Sequence, residues 1–365
     1  MTLSLKGARG LVLAIATVLS LHSQATLAAP KTGTDVRKQI AASQSLPPGA
    51  IDELKAVEIG GIKQWISVRG ADPKNPVLLF LHGGPGTTMM GETWTYQRPW
   101  EDFFTVVQWD QRGAGKTFSE ARRKTGAPLS VDLMAKDTIE LIQYLTKTYG
   151  KRKVILVGHS WGSVLGLEVA KRRPDLLYAY VGIGQVVNMV RNEAAGYELT
   201  LAEARRQNNA KAVAALEAIA PYPEPDGSIP LQKTAVERPW AVALRGMIYS
   251  RTALDDAELR LSPQYSAYDV ESASQGEMKT VFALWPELSK VDYFGLHELS
   301  CPLIIFAGEH DTVTPGRLSK EFFDQVQAPF KRYFLVPNAS HYVVNEAPGV
   351  ALVDLVTDVL PLAKE

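Results

Sequence analysis

Short runs of apolar residues alternate with helical patterns through the first half of this sequence. The apolar runs cover residues 77–81, 103–109, 154–157 and 177–184. Such continuous runs are typical of strands that are buried on both faces. Between them, residues 131–149 carry apolar side chains at helical spacing, and Gly150 follows as a helix stop signal. This order predicts a mostly parallel central sheet flanked by helices.

Residues 55–68 show a different pattern, in which apolar and polar positions alternate on either side of Gly60 and Gly61. A pair of glycines between two alternating runs is a signal for a β-hairpin. We therefore expect an antiparallel hairpin ahead of the first buried strand.

The alternation of strands and helices stops between residues 188 and 293. This region has helical stretches, of which 195–218 is the best, and no run typical of a buried strand. Prolines interrupt it at positions 221, 223, 225, 230, 239 and 263. Strand and helix patterns then resume at 302–307, 316–326, 333–336 and 348–362. The predicted organisation is a polar lead-in at 30–53, a core at 54–185 and 294–365, and a mostly helical cap inserted at 186–293.

Residues 1–29 have the three-part layout of a secretory signal peptide. Two cations precede a largely apolar stretch at 11–21, and small residues follow, with cleavage after Ala25, Ala28 or Ala29 left open. An uncleaved membrane anchor is the alternative, but the apolar stretch is short for a span of about 20 residues. The sequence therefore predicts a periplasmic or secreted protein with no stable membrane span after cleavage.

Charge and composition exclude several classes of function. The chain has 365 residues, and Lys+Arg and Asp+Glu are equal at 39 each. Without a basic excess, no nucleic-acid partner is expected. The single cysteine, Cys301, excludes an internal disulfide, and its place before an apolar run favours a buried, unreactive thiol. No histidines lie at the spacing of a metal site, so neither a metal nor a cofactor is predicted.

The candidate chemistry centres on Gly158-His-Ser160-Trp-Gly162, which follows a predicted strand and precedes a helical pattern. Strand, G-x-S-x-G and helix in this order indicate a nucleophile elbow. A serine at such a tight turn has a strained backbone, so the residues two positions away must be nearly free of side chain. Ser160 is therefore the predicted nucleophile.

A serine hydroxyl needs a base that is held by a carboxylate, and in a sheet of this kind the acid precedes the histidine. His341 follows the last predicted strand by one short loop, where the base is expected. Asp311 follows the strand at 302–307 and precedes a predicted helix start, and Glu309 is the other carboxylate of the same loop. We predict that Asp311 and His341 are the partners of Ser160.

Two backbone N–H groups must stabilise the oxyanion. One is the N–H of Trp161, directly after the nucleophile, and the other is expected in the loop His82-Gly-Gly-Pro-Gly86. Gly84 is the predicted donor and Gly83 the second choice, because proline has no N–H. A plain tight turn is the alternative interpretation of this loop.

Taken together, the motifs HGGPG, WDQRGAGKT, GHSWGS, GEHDTVTP and NASHY resemble those of the α/β-hydrolase superfamily. More narrowly, they are similar to the prolyl iminopeptidase-like serine hydrolases. The resemblance covers the chain from about residue 54 onward, and it implies an α/β-hydrolase fold with the same nucleophile, acid, base and oxyanion donors. It also implies that the loop at 110–113 shapes the floor of the site, with a purely structural ion pair as the alternative.

The resemblance implies an aminopeptidase in which acidic residues hold the free α-amine of the substrate. The predicted cap contains Glu193, Glu198, Glu203, Glu277 and Glu287. Trp285-Pro-Glu287 is nearest to the acidic cap motif of the family, and a helix-end turn is its alternative interpretation. The predicted substrate pocket consists of His82, Gly83, Trp285 and Glu287.

We therefore expect a cofactor-free serine hydrolase that acts through an acyl-enzyme, as an aminopeptidase of prolyl iminopeptidase type on short peptides. A carboxylesterase or amidase on a small acyl substrate, with the same triad but no amine site, is the first alternative. A non-catalytic binding protein on a hydrolase fold is the second. The physiological substrate and the oligomeric state are left open.

Overall fold

The computed structural model of the chain describes residues 36–121, 128–254 and 256–364, so the predicted signal peptide lies outside the described residues. The strands are β1 Ile51–Ile59, β2 Ile62–Gly70, β3 Val77–Leu81, β4 Thr105–Asp110, β5 Val154–His159, β6 Leu177–Ile183, β7 Leu303–Gly308 and β8 Lys331–Val336. They form one sheet in the order β1-β2-β4-β3-β5-β6-β7-β8.

The helices connect and cover these strands. They are α1 Val36–Ser43, α2 Gly115–Ala121, α3 Val131–Tyr149, α4 Trp161–Arg172, α5 Met189–Arg206, α6 Ala210–Glu217, α7 Leu231–Ala243, α8 Ala257–Leu261, α9 Ala267–Leu288, α10 Gly316–Gln325, α11 Val343–Glu346 and α12 Pro348–Asp354. Among the described residues, no helix has the length and apolar character needed to cross a membrane.

Six neighbouring strands of the sheet run parallel to one another: β4, β3, β5, β6, β7 and β8. Strands β1 and β2 form an antiparallel hairpin at one side, and β2 pairs antiparallel with β4. Ile59 lies opposite Ile62, and Gly60 and Gly61 have positive φ angles of 56° and 73° at the turn. Both the predicted hairpin and the mostly parallel sheet are confirmed.

Two apolar clusters fill the two faces of the sheet, because successive residues of a strand point to opposite sides. Leu79 and Leu156 belong to one cluster, and their neighbours Leu78 and Ile155 belong to the other. Helices α3 and α4 cover the first face, and α12 contributes to the second. Cys301 is buried in the first cluster, and burial raises the pKa of its thiol to about 11. The predicted burial is confirmed, and the raised pKa favours the unreactive thiol that the sequence predicts.

Helices α5 to α9 form an insertion between β6 and β7, and Asn188 and Asp292 close its base as an isolated antiparallel bridge. The helical stretch predicted at 195–218 is interrupted, since Asn208 has a left-handed φ of 54° between α5 and α6. The prediction that Pro239 breaks a helix is wrong, because it lies inside α7. Packing of the buried face of α7 outweighs the one lost N–H donor.

Candidate active site

Ser160 lies at the turn between β5 and α4, with a φ of 52° and a ψ of −117°. A Cβ atom on Gly158 would lie 2.4 Å from the carbonyl oxygen of Gly162, and one on Gly162 would lie 2.1 Å from that of Leu81. Backbone atoms leave no room at either position, so only glycine fits. The Ser160 N–H donates to the carbonyl of Ile183 at 2.9 Å, which ties the turn to β6. The strained turn that G-x-S-x-G predicts is present.

Asp311 and His341 lie side by side at the ends of β7 and β8. His341 Nδ1 is 2.9 Å from Asp311 Oδ2, and both residues are 3% exposed. Asp311 Oδ1 accepts the N–H groups of Val313 and Thr314 at 2.8 and 2.9 Å, and Oδ2 accepts the Thr314 hydroxyl at 2.7 Å. Burial acts to raise the pKa of Asp311, but His341 and these hydrogen bonds outweigh it and lower the pKa. An ionised carboxylate in this position can orient an imidazole as a general base.

Ser160 and His341 line the same cavity, whose volume is about 490 Å³. His159 holds the base loop against the elbow, since its Nε2 lies 2.9 Å from the backbone carbonyl of His341 and the two rings are 4.8 Å apart. Burial lowers the pKa of His159 to about 3. The neutral His159 ring therefore donates its Nε2–H to that carbonyl.

The glycine loop after β3 lies beside the elbow. Gly84 has a φ of 109° and lines the cavity together with Trp161, the first residue of α4. The first N–H groups of a helix have no acceptor within the helix, so the Trp161 N–H is available to a ligand. A Cβ atom on Gly83 would lie 3.2 Å from Ser160 Cβ, which shows how closely the loop approaches. The two predicted oxyanion donors thus flank Ser160 in the cavity.

His82 is buried behind the cavity and does not line it. The Gln111 N–H donates to His82 Nε2 at 3.2 Å, and His82 Nδ1 faces the Gly83 carbonyl at 2.9 Å. Burial lowers the pKa of His82 to about 4. His82 is therefore a neutral link between the ends of β3 and β4, and its predicted place in the substrate pocket is not supported. Gly83 is likewise not among the lining residues.

The loop at 110–113 is fixed by charged and polar contacts. Arg112 Nε donates to Asp137 at 2.9 Å, which is the structural ion pair weighed as an alternative. Gln111 accepts the indole N–H of Trp161 at 3.0 Å. These contacts fix the floor under the elbow helix without placing the charge of Arg112 in the cavity.

The predicted cap residues Trp285 and Glu287 have different positions. Trp285 lines the cavity and donates its indole N–H to the carbonyl of Ile229 at 2.8 Å. Glu287 is exposed, and its carboxylate accepts the N–H of Val131 at 2.8 Å, at the start of α3. Because residues two apart on a helix face in different directions, Glu287 lies outside the cavity, and its predicted role in the pocket is not supported.

Most acids that line the cavity are already paired. Glu193 binds Arg238 at 2.7 Å and also accepts the Tyr222 hydroxyl. Asp256 pairs with Arg260 at 2.6 Å, and Glu258 with Arg251 at 3.2 Å. Glu92 is a fourth lining acid.

Glu277, on α9, differs from these paired acids. Its carboxylate accepts the Thr87 hydroxyl at 2.5 Å. Burial raises the pKa of Glu277, and the Thr87 hydrogen bond opposes that rise only in part. Sequence reasoning named Glu277 only as one of five cap acids and missed Arg238, because no local pattern shows which helix faces meet in the cavity.

Comparisons with known proteins agree with this fold. The sequence profile described as the alpha/beta hydrolase family matches residues 78–355. The "Probable aminopeptidase YbaC" of Bacillus subtilis (strain 168) is 34% identical over 303 residues, which are 81% of this chain and 93% of the relative. The proline iminopeptidase of Elizabethkingia meningoseptica is 26% identical over 291 residues, 78% of this chain and 89% of the relative.

A solved structure gives the same result for the fold. The crystal structure of a proline iminopeptidase-related protein from Thermus thermophilus has a TM-score of 0.59 at 22% identity. The match covers 86% of this chain and 98% of that protein. At this level of identity the likeness shows the fold alone.

Proposed function

The chain belongs to the alpha/beta hydrolase family, and we propose that it is a serine hydrolase that releases N-terminal residues from short peptides through an acyl-enzyme. The observation that carries the proposal is the 2.9 Å contact between Asp311 and His341, whose ring lines the same cavity as Ser160. The relatives named aminopeptidase and proline iminopeptidase support a peptidase.

In the proposed reaction, His341 takes the Ser160 proton as the serine oxygen attacks the scissile carbonyl carbon. Asp311 keeps the imidazole oriented and stabilises the imidazolium. The N–H groups of Gly84 and Trp161 stabilise the oxyanion. The imidazolium then gives its proton to the leaving amine, and water activated by His341 hydrolyses the acyl-enzyme.

Glu277 is the proposed partner for the free amine of the substrate. A buried ammonium group needs an opposite charge, and Glu193, Asp256 and Glu258 already have cationic partners. Glu277 contacts the neutral Thr87 hydroxyl, and burial raises its pKa. An ammonium group beside it would favour the ionised carboxylate. Because Thr87 lies three residues after Gly84, this contact would hold the amine close to the oxyanion donors.

A carboxylesterase or amidase acting on a small acyl substrate is the second candidate. It is favoured by the apolar part of the cavity wall, which contains Met189, Leu231, Val281, Trp285 and Leu288. Such a surface would hold an acyl chain as well as an amino-acid side chain. The same nucleophile, base and acid would serve both reactions.

Paired kinetics distinguish the two candidates. Purified protein is assayed with proline and alanine arylamides, with their N-acetylated forms and with short acyl esters. For an aminopeptidase, N-acetylation is expected to lower kcat/KM by about 100-fold or more, because the half-buried carboxylate of Glu277 loses its charged partner. Turnover of esters alone would refute the peptidase and leave the esterase.

The nucleophile is tested separately with a fluorophosphonate probe. Wild-type protein should be labelled, and Ser160→Ala should lose both labelling and turnover. An unlabelled wild type would refute serine catalysis and favour a binding protein.

The amine site is tested with Glu277→Gln and, as a matched control, Glu271→Gln, an exposed acid on the same helix. Glu277→Gln should raise KM for free-amine arylamides by about tenfold or more while ester turnover stays unchanged. Equal effects of the two variants would count against the assignment.

We also propose that residues 1–29 direct export and are removed. N-terminal sequencing of the protein recovered from periplasmic and culture fractions should find a start directly after Ala25, Ala28 or Ala29. An intact Met1 in the membrane fraction would favour the anchor instead.

A further inference from the structure

Residues 245–250 of the cap, here called the clamp segment, lie against the loop that carries Asp311. The Thr312 N–H donates to the carbonyl of Gly246 at 2.9 Å. A Cβ atom on Gly246 would lie 2.1 Å from Thr312 Oγ1, so this close approach requires glycine. The clamp segment therefore contacts the residue next to the proposed acid.

The clamp segment also contacts the loop that carries His341. The His341 N–H donates to the carbonyl of Met247 at 3.0 Å, and the Ser340 hydroxyl donates to the carbonyl of Arg245 at 2.6 Å. Met247 and Ile248 themselves line the cavity. Residues that would touch a substrate are thus part of the same short segment that holds the backbone of His341.

Glu346, on α11, completes this connection. One carboxylate oxygen accepts the Ser340 N–H at 2.8 Å, and the other accepts the Ser250 N–H at 2.8 Å. Hydrogen bonds from N–H groups to an ionised carboxylate are stronger than those between neutral groups. One half-buried side chain therefore joins the loop of His341 to the end of the clamp segment.

We propose that Glu346 is a positioning residue, whose two hydrogen bonds hold the loop of His341 against the clamp segment. The position of the cap on the core then determines the position of His341, the general base. This inference rests on the proposed function, because it takes His341 as the general base. A displacement of a reacting group by about 1 Å can lower the rate of the chemical step by about 100-fold. Loss of the Glu346 contacts would therefore act on catalysis through His341.

Glu309 provides a matched control. It is exposed, and its carboxylate accepts the Asn338 N–H at 3.3 Å, near the other end of the same loop. This hydrogen bond joins two loops of the core. A general weakening of the loop should therefore follow from either substitution, whereas loss of the connection to the cap should follow only from a change at Glu346.

The experiment compares wild type, Glu346→Gln, Glu309→Gln and Ser250→Pro, in which the cap-side N–H donor is removed and the backbone of residue 250 is constrained. Glu346→Gln should lower kcat by about 10- to 100-fold, Ser250→Pro by a smaller factor, and Glu309→Gln by less than about twofold. Glu346→Gln should also move the acid limb of the pH profile of kcat/KM to lower pH, since an imidazolium held less closely by Asp311 is stabilised less. The second-order rate of fluorophosphonate labelling should fall in parallel.

Three results would overturn the proposal. One is a pH profile of Glu346→Gln in which kcat/KM is lower at every pH but the acid limb stays at the wild-type pH, as expected when only the amount of folded enzyme falls. Another is an equal loss in Glu309→Gln. The third is full activity in Ser250→Pro, because Glu346 would then act without the cap. A wild-type protein that fails to react with the fluorophosphonate refutes the proposed function itself, and this inference with it.

Discussion

The core and the cap hold their functional side chains in different ways. In the core, Ser160 and Asp311 are placed by tight turns at strand ends, where backbone groups pack closely or donate hydrogen bonds. In the cap, Glu193 and Arg238 are placed by an ion pair between α5 and α7. The proposed catalysis therefore depends on local backbone geometry in the core, and the proposed recognition of the substrate depends on how the cap helices pack. Substitutions in the two regions should accordingly fail in different ways.

The largest contrast is expected in kcat. Asp311→Asn should lower kcat by about 10⁴-fold, because an amide favours the wrong tautomer of His341. Asp256→Asn, which changes a lining acid of the cap, should change kcat by less than about threefold, since its partner Arg260 is exposed. Steady-state kinetics on protein with unchanged circular dichroism measures both. Equal losses would break the comparison.

The core turn should be intolerant of one added methyl group. Gly162→Ala places a Cβ atom 2.1 Å from a backbone oxygen, so we expect a loss of about 3 kcal/mol or more in the free energy of unfolding. Gly295→Ala is the control, because no atom lies within 4 Å of its added Cβ. Denaturant unfolding of both variants checks this. A tolerated Gly162→Ala would contradict the close packing at the elbow.

The cap should depend on its buried charges. Arg238→Met leaves Glu193 and Glu237 without their cation, so we expect a loss of about 2 kcal/mol in the free energy of unfolding. The KM for arylamides should change more than the kcat for ester substrates. Arg238 lines the wall of the cavity and is not part of the turn that carries Ser160. Adding Glu237→Gln should restore part of the lost stability. A double variant that is less stable than the single one would contradict the pairing.

The smallest contrast is in the pH dependence of stability. The pKa of Asp311 is lowered by folding, so its contribution is present above its ordinary value of 3.8 and is lost as the pH falls through the folded pKa. The pKa of Glu277 is raised, so stability falls as the pH rises from its ordinary 4.5 through the folded pKa. Relative to wild type at neutral pH, Asp311→Asn should be less stable and Glu277→Gln more stable.

Urea unfolding from about pH 3 to pH 8 measures both differences. Both differences should become smaller towards the acid end, that for Glu277→Gln as the pH falls towards 4.5 and that for Asp311→Asn only as the pH falls below 3.8. If the difference in free energy of unfolding from wild type changed with pH in the same direction for both variants, this distinction between core and cap would be lost.

Elements with strong local signals were predicted closely from the sequence. Helix α3 has the predicted bounds, because Ser130 accepts the Leu133 N–H at its start and Gly150 adopts a φ of 64° at its end. The stretch at 195–218 instead divides into two helices. The closing α-helix ends at Asp354 and continues as a π-helical turn, Leu355–Val359, and a 3₁₀ turn, Leu360–Leu362. The break at 195–218 is local, because Asn208 adopts a left-handed φ of 54° and the Asn209 side chain caps α6 by accepting the Ala212 N–H at 3.1 Å.

The sequence by itself determined the succession of strands and helices along the chain and the positions of Ser160, Asp311 and His341 after strands, since each depends on residues only a few positions away. The tertiary structure decided which cap acid faces the cavity, placing Glu277 there and Glu287 outside it. It also decided that Glu346 joins the loop of His341 to the cap. These contacts join residues far apart in the chain, and the orientation of a packed helix is set by its neighbours and not by its own sequence pattern.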